Sequence, residues 1–413
     1  MELKSFSKKI IFISSGQPSL NPRLVKEADA LADAGYQVTV LYAYWNDWGD
    51  SFNKQLLPTK KWNAICVGGH PVNSPFTYFT SRFIHKLSKW LFNQLNLNFW
   101  ADFATARGSY SLALEAKKHK ADLYIGHNLG ALRAIIKASE KYNAKCGFDA
   151  EDFHRQEVSD ELDSVNYKIV KYLEDKYYKR LNYLTTSSSQ IANAYSQLYP
   201  EREPITILNV FPKNIPIRQH AINSTGPVKL FWFSQTIGIN RGIEDVAKAL
   251  KLLKTEDYEL HLLGSINNEG KQQFIDNELL GIKNVFFHSP VPPNELINFA
   301  TKFDIGLASE NNIPLNRDIC LTNKVFTYLQ AGLAIIASDT TAQKNFLEEN
   351  PDVGKVYQKK DIQSLKSILS AYQADRKMLY NSCKASLKLG QEKLNWENES
   401  IKFLSLINTT LTN

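Results

Sequence analysis

The chain has 413 residues and a formal net charge of +7. That length carries two domains with cores of ordinary size. The modest charge, with no long basic block, suits anionic small ligands or an anionic membrane surface and argues against sequence-reading of nucleic acid. The four cysteines (Cys66, Cys146, Cys320 and Cys383) show no paired spacing, which argues against a disulfide framework or a zinc site, and no stretch has the length of a signal peptide or membrane span, so a cytoplasmic protein is expected.

Residues 9–14, KIIFIS, read as a first buried strand that runs into the polar loop 14–18 around Gly16. An amphipathic helix over 22–34, ended by Gly35, and a strand over 37–42 follow. Strand, small-residue loop, helix and strand make a Rossmann-type opening, with its loop at the carboxyl edge where ligands bind. There is no G-x-G-x-x-G, so no dinucleotide cofactor is expected. Gly16 either lets a ligand approach the backbone or only turns the chain.

The stretch 75–100 predicts a basic amphipathic helix. Phe79, Phe83, Leu87, Trp90 and Leu91 fall on one face, and Arg82, His85, Lys86, Lys89 and Asn93 on another. Such a helix, 79–93 at its centre, either lies on an anionic bilayer or packs on its own domain. Strands over 122–126 and 145–149 deliver His127 and Asn128, then Glu151, Asp152 and His154, to the same edge. His127 is a substrate contact or a capping histidine; beside Asp152 and the Gly16 loop it is taken as the contact. A helix over 157–180 and strands over 183–186 and 205–208 complete this half, and the proline-rich run 212–227 reads as a linker.

A second βα series opens at 228–235, with Arg241 just before a helix that starts at Gly242, where a guanidinium can meet a ligand. Strands over 259–263, 285–288 and 304–308 end near Gly264, Ser289 and Glu310, and a loop over 311–320 carries Arg317. In LTNKVFTYLQAGLAIIASD, Thr322 is the expected N-cap, Gly332 a left-handed C-cap, and 334–337 a buried strand. Lys324 is a cation in the first helical turn, which the macrodipole disfavours. With the free N–H groups there it makes an anion site, most simply for phosphate, or it is a solvated lysine.

No HExxH, P-loop, G-x-S-x-G or D-x-D metal motif occurs. The chain resembles the GT-B-fold glycosyltransferases, and within them the retaining family-4 type. The resemblance rests on LVKEADALADAGYQVTVLY, YIGHNLGAL, FSQTIGINRGIED, LTNKVFTYLQAGLAIIASD and the late Trp396. It implies two Rossmann-like α/β domains facing across a cleft: an acceptor-side domain over 1–212, a nucleotide-sugar domain over 228–390, and a helix over 391–413 that crosses back. It implies a metal-independent transferase with no cofactor. Its partners are a nucleotide-diphosphate sugar and a glycan or lipid-linked acceptor, in cell-surface polysaccharide synthesis at the inner face of the membrane.

By the same resemblance Arg241 and Lys324 grip the donor diphosphate, Gly16 and Gly264 lie beside the donor, and His127 holds the transferred sugar. Glu310 orients the sugar hydroxyls, and Asp152 and Asn128 stand on the acceptor side. Three features depart from the family: Gln235 replaces an arginine, Thr327 a ribose-binding glutamate, and the first glutamate of the two-glutamate motif has no match at its usual spacing, Glu310 lying at the end of the corresponding strand but in a longer loop. Arg317, Asn323 and Thr327 are the expected substitutes. One lost charged hydrogen bond weakens the donor by about 1.5–3 kcal/mol if nothing replaces it. A non-hydrolysing sugar-nucleotide epimerase and a catalytically silent partner subunit are the alternatives.

Overall fold

A computed structural model describes residues 8–213, 226–239 and 241–412. Most of the expected linker therefore lies outside the described residues.

Each half builds a parallel sheet, because its strands are near-continuous apolar runs that must be covered on both faces. In the first, Ile10, Phe12 and Ile13 of β1 (Lys9–Ser14) are wholly buried. Helix α1 (Pro22–Asp33) is capped by Asn21, whose side chain accepts from the Leu24 N–H, and leads to β2 (Gln37–Ala43). Helix α2 (Asp47–Leu56), β3 (Asn63–Val67) and helix α3 (Pro75–Leu95) follow. The sheet is completed by β4 (Leu123–His127), β5 (Lys145–Ala150), β6 (Tyr183–Thr186) and β7 (Ile205–Thr206). Its order is β3-β2-β1-β4-β5-β6-β7, all parallel, so the order reverses between β1 and β4.

The second sheet contains β8 (Val228–Thr236), β9 (Tyr258–Ser265), β10 (Val285–His288), β11 (Ile305–Ala308), β12 (Ala334–Ser338) and β13 (Gly354–Tyr357). Its order is β10-β9-β8-β11-β12-β13, again parallel, with the reversal between β8 and β11. Gly332 ends the helix Asn323–Ala331 in the left-handed region, at φ +69°.

Residues up to Ile207 and from Ser400 onward form one compact unit, and Leu208 to Glu399 the other. The last helix, Trp396–Thr412, accordingly starts in the second unit and ends in the first. At its start the Trp396 N–H donates to the Phe211 carbonyl (2.9 Å) and Glu399 accepts from the Leu208 N–H (2.9 Å). Near its end Leu411 accepts from Lys8 Nζ (2.6 Å), and Asn408 from the Tyr36 hydroxyl.

The helix expected over 157–180 begins only at Val165, because Ser164 caps it by accepting from the Tyr167 N–H (3.2 Å). The stretch 311–320, read as loop, holds a short helix, Leu315–Ile319. Helix α3 is placed by its small residues: Ser81 and Ser88 are buried with Phe92, while Phe76 (84% exposed), Phe79 (66%), Phe83 (65%) and Trp90 (53%) face outward. Phe79, Phe83 and Trp90 of the apolar stripe are thus not used in packing α3 on its own unit, whereas Leu91 is half-buried.

Candidate functional site

At the β1–β4 reversal the first unit turns a polar rim outward, as an open parallel sheet does at its carboxyl edge. The Ser14 hydroxyl donates to Asn128 Oδ1 (3.0 Å) and accepts from the Gly16 N–H (3.1 Å), which ties the two loops together. Asn128 holds φ +64° and ψ 147°, a region that side chains normally avoid, and such strain persists only where its surroundings enforce it.

Beneath this rim lies a buried ionic cluster. Arg23 of α1 grips Asp149 of β5 with two prongs, Nε to Oδ2 and Nη2 to Oδ1, both 2.7 Å, and its Nη1 donates to the Ile207 carbonyl (2.5 Å). Thr185 donates to Asp149 Oδ1 (2.7 Å). His127 Nε2 lies 3.1 Å from Glu27 Oε2 and its Nδ1 3.5 Å from Asp149 Oδ2. Burial opposes charge on Arg23, His127 and Asp149. For Asp149, the Arg23 and His127 cations win and hold the carboxyl below its ordinary range; for His127, Glu27 and Asp149 win and raise the imidazole. Arg23 and His127 thus stand against the carboxyl groups of Asp149 and Glu27.

Glu27, His127 and Asp149 also place three ligand atoms within 4.8 Å of one another, close enough for a metal ion. The donor set does not fit one. Both Asp149 oxygens already serve Arg23, and a divalent cation would stand against a permanent guanidinium in a dry interior.

A cavity of about 620 Å³ opens above the cluster, lined by residues that include Gly16, Gln17, Trp45, His127, Asn128, Asp149, Glu151, Asp152, His154 and Glu157. Burial and the neighbouring Asp152 push the Glu151 carboxyl up to about 7. Burial opposes charge on His154, but its hydrogen bond to Glu157 (2.8 Å) and the charges of Glu157, Asp152 and Glu174 raise it to about 9.

In the second unit the β8–β11 reversal gathers the other candidates. Gly242, at φ +83°, must be glycine, since a Cβ there would meet the Ser309 carbonyl oxygen at 2.5 Å. Arg241 beside it donates to Thr236 Oγ1 (3.3 Å). Lys324 is ion-paired with Glu310 and lies 5.4 Å from the Trp232 ring centre. The Glu310 N–H donates to Ser338 Oγ (2.8 Å). Four buried side-chain atoms in these segments have no protein partner: Trp232 Nε1, Ser309 Oγ, Thr322 Oγ1 and Thr327 Oγ1. Thr322 stands at the N-cap, yet its hydroxyl makes no capping bond.

The structure thus brings Gly16, His127, Asn128 and Asp152 to one cavity. It couples Glu310 with Lys324 and leaves Gln235, Arg317 and Asn323 exposed. Gly264 is buried at the end of β9, and Thr327 is fully buried within its helix. Sequence reading missed Gln17, Arg23, Glu27 and Asp149. One signal was available: Arg23, like Lys324, is a cation in a first helical turn, where the macrodipole disfavours it.

No family model and no curated protein matches the sequence. Solved structures do. HepE from Anabaena, in complex with UDP and glucose, superposes with a TM-score of 0.68 at 14% identity, covering 97% of this chain and all of that one. TarM from S. aureus, in complex with fondaparinux, alpha-GlcNAc-glycerol and UDP, gives 0.68 at 11% identity over 97% and 100% of the two chains. Sucrose-phosphate synthase from Thermosynechococcus elongatus gives 0.67 at 13% identity over 98% and 99%. The fold is that of the GT-B glycosyltransferases, as the sequence resemblance implies.

Proposed function

We propose that the protein is a glycosyltransferase. It takes a sugar from a nucleotide-diphosphate donor and passes it, with retention of configuration and without a metal, to a hydroxyl of a glycan or lipid-linked acceptor. The observation that carries this reading is the β8–β11 reversal, where Lys324 stands in the first turn of the helix Asn323–Ala331 beside buried hydroxyls that lack partners. A helix N-terminus, an ammonium and unpaired donors are what a diphosphate needs, and charge placed there in advance stabilises the leaving group as it forms. Structures of HepE that hold UDP and UDP-glucose support the choice of ligand.

In this mechanism Arg241 and Lys324 neutralise the departing diphosphate, which itself takes the acceptor proton. Glu310, paired with Lys324 when no donor is bound, turns to the sugar hydroxyls when phosphate takes its place. The cavity at β1–β4 is the acceptor side, with Asp152 and Asn128 on its rim; His127, held by Glu27 and Asp149, backs the sugar. The setting is cell-surface polysaccharide synthesis, with the outward stripe of α3 resting on the inner face of an anionic membrane. Phe79, Phe83 and Trp90 enter the headgroup boundary there, and Lys86 and Lys89 meet its charge.

The test is a melting-temperature screen against nucleotide-diphosphate sugars and free nucleoside diphosphates, with and without a chelator. A ligand at a hundred times its Kd adds about 2.7 kcal/mol. A chelator-insensitive rise with one base, smaller in Arg241→Ala, is the expected result. A second reading, a catalytically silent partner subunit, draws on the neutralised Lys324 and the buried Thr327; no rise with any nucleotide favours it.

A further inference from the structure

Just past β2 stand two consecutive aromatic residues, Tyr44 and Trp45, and each has a guanidinium against its ring. Arg82 of α3 lies with its guanidinium carbon 3.3 Å from the Tyr78 ring centre and 5.9 Å from that of Tyr44, and Arg107 lies 4.9 Å from the Trp45 ring centre. Among the described residues neither arginine stands in an ion pair. The carboxylates near these rings are engaged elsewhere: Asp47 accepts from the Tyr44 hydroxyl, and Asp50 is paired with Lys54 (2.9 Å) and His70 (3.5 Å). The two cations also feel each other. Burial lowers Arg82 from its ordinary value against the pull of Tyr78, and the Arg107 charge lowers it further. Burial, then the charges of Lys89, Arg107 and Arg82, lower His85 against its Phe103 carbonyl. Like charges gathered without a carboxylate among them repel, and the aromatic faces hold them in place. The pair borders the cavity, which Trp45 lines together with Thr105 and Ala106, the two residues before Arg107. It also borders the outward stripe of α3, where Phe79 and Phe83 flank Arg82.

We propose that Arg82 and Arg107 bind a phosphate of the acceptor, which is a sugar joined through that phosphate to a lipid. A guanidinium whose face is covered by a ring keeps its N–H edge free, and that edge matches phosphate with two parallel hydrogen bonds. Two such forks suit a group with several charged oxygens, whereas a carboxylate has a single edge to share. The sugar then enters the cavity past Trp45, and the chain beyond the phosphate leaves over Phe79 and Phe83. Lys86 and Lys89, exposed on the same helix, remain for the headgroups of the bulk membrane. That this ligand is the acceptor rests on the transferase reading; the phosphate site itself does not.

Ligand-observed NMR on the full chain without lipid tests it, with octyl hexosides each matched to the hexosyl octyl phosphodiester of the same sugar. At least one phosphodiester is expected to bind about ten- to a hundredfold tighter than its match, as for a gained charged hydrogen bond, and the gap should narrow as salt rises. Arg82→Gln with Arg107→Gln should close the gap and leave the plain hexoside unchanged. Arg107→Gln alone, at an exposed position where folding is not at stake, should narrow it. An octyl glycerol phosphodiester, which carries the headgroup chemistry of an anionic membrane, separates the two sources of phosphate and should bind more weakly than the hexosyl compound. Phosphodiesters no tighter than their plain hexosides, a gap that survives both substitutions, or a glycerol compound that matches every hexosyl one overturns the proposal. The nucleotide-induced rise in melting temperature is read on the same proteins. A phosphate gap in a protein that no nucleotide stabilises overturns the transferase reading and leaves the sugar-phosphate site standing; a nucleotide rise without the gap does the reverse.

Discussion

Arg23 and Asp149 form a two-pronged ion pair in the interior of the first unit, at 2.7 Å on both prongs, with side chains 0% and 1% exposed. The pair joins the first helix to a strand 126 residues away and sets the charge beneath the cavity. Arg23→Met leaves Asp149 buried without its guanidinium partner. A loss of about 3–5 kcal/mol is expected, the usual penalty for breaking one side of a buried pair, and urea unfolding measures it. Arg23→Lys should recover only part of this, because an ammonium cannot reproduce the fork.

His154 predicts a pH dependence of stability. Its folded pKa, about 9, lies above its ordinary value of 6.5. The group therefore contributes stability in full below about 6.5 and loses it as pH rises towards 9. Burial pulls the Lys26 ammonium down to about 7 and gives the opposite slope in much of that window, so the difference is the readout: the stability of the wild type relative to His154→Gln should decline as pH rises from about 6.5 to 9. A difference that does not change with pH would refute the assignment.

Lys324 and Glu310 should separate binding from turnover. Lys324→Ala removes the charge at the helix start, and nucleotide affinity is expected to fall about ten- to a hundredfold, as for a lost charged hydrogen bond. Glu310→Gln leaves the ammonium without its counter-charge, so calorimetric titration should find nucleotide binding unchanged or tighter while transfer declines.

The outward stripe of α3 should be neutral for folding. Phe79→Ser and Trp90→Ser remove exposed rings, so stability should stay within about 0.5 kcal/mol of wild type. Sedimentation with vesicles is the functional readout: binding to anionic vesicles should drop in the double variant and fall with salt, and equal binding to zwitterionic vesicles would count against a charge-assisted contact.

What the sequence alone determined about this protein is local and periodic. Apolar runs such as KIIFIS and AIIAS are buried strands in any fold, Gly35 and Gly332 end helices because they reach positive φ without strain, and the alternation of the two elements dictates parallel sheets. Helix α2, with Gly49 inside a polar run, and the edge strands β3 and β13, short and only partly buried, carry too little pattern to be read. Amphipathicity showed that α3 has two faces, but only the packing of Ser81, Ser88 and Phe92 decided that the aromatic one looks outward. The site divides in the same way. Polar residues at strand ends mark the rim, whereas Arg23, Glu27, His127 and Asp149 become one buried cluster only through tertiary contact. In sequence, Arg23 and Glu27 are an ordinary i,i+4 pair; burial beside a distant carboxylate and imidazole makes them structural, because a charge withdrawn from water must find its partners wherever the fold brings them.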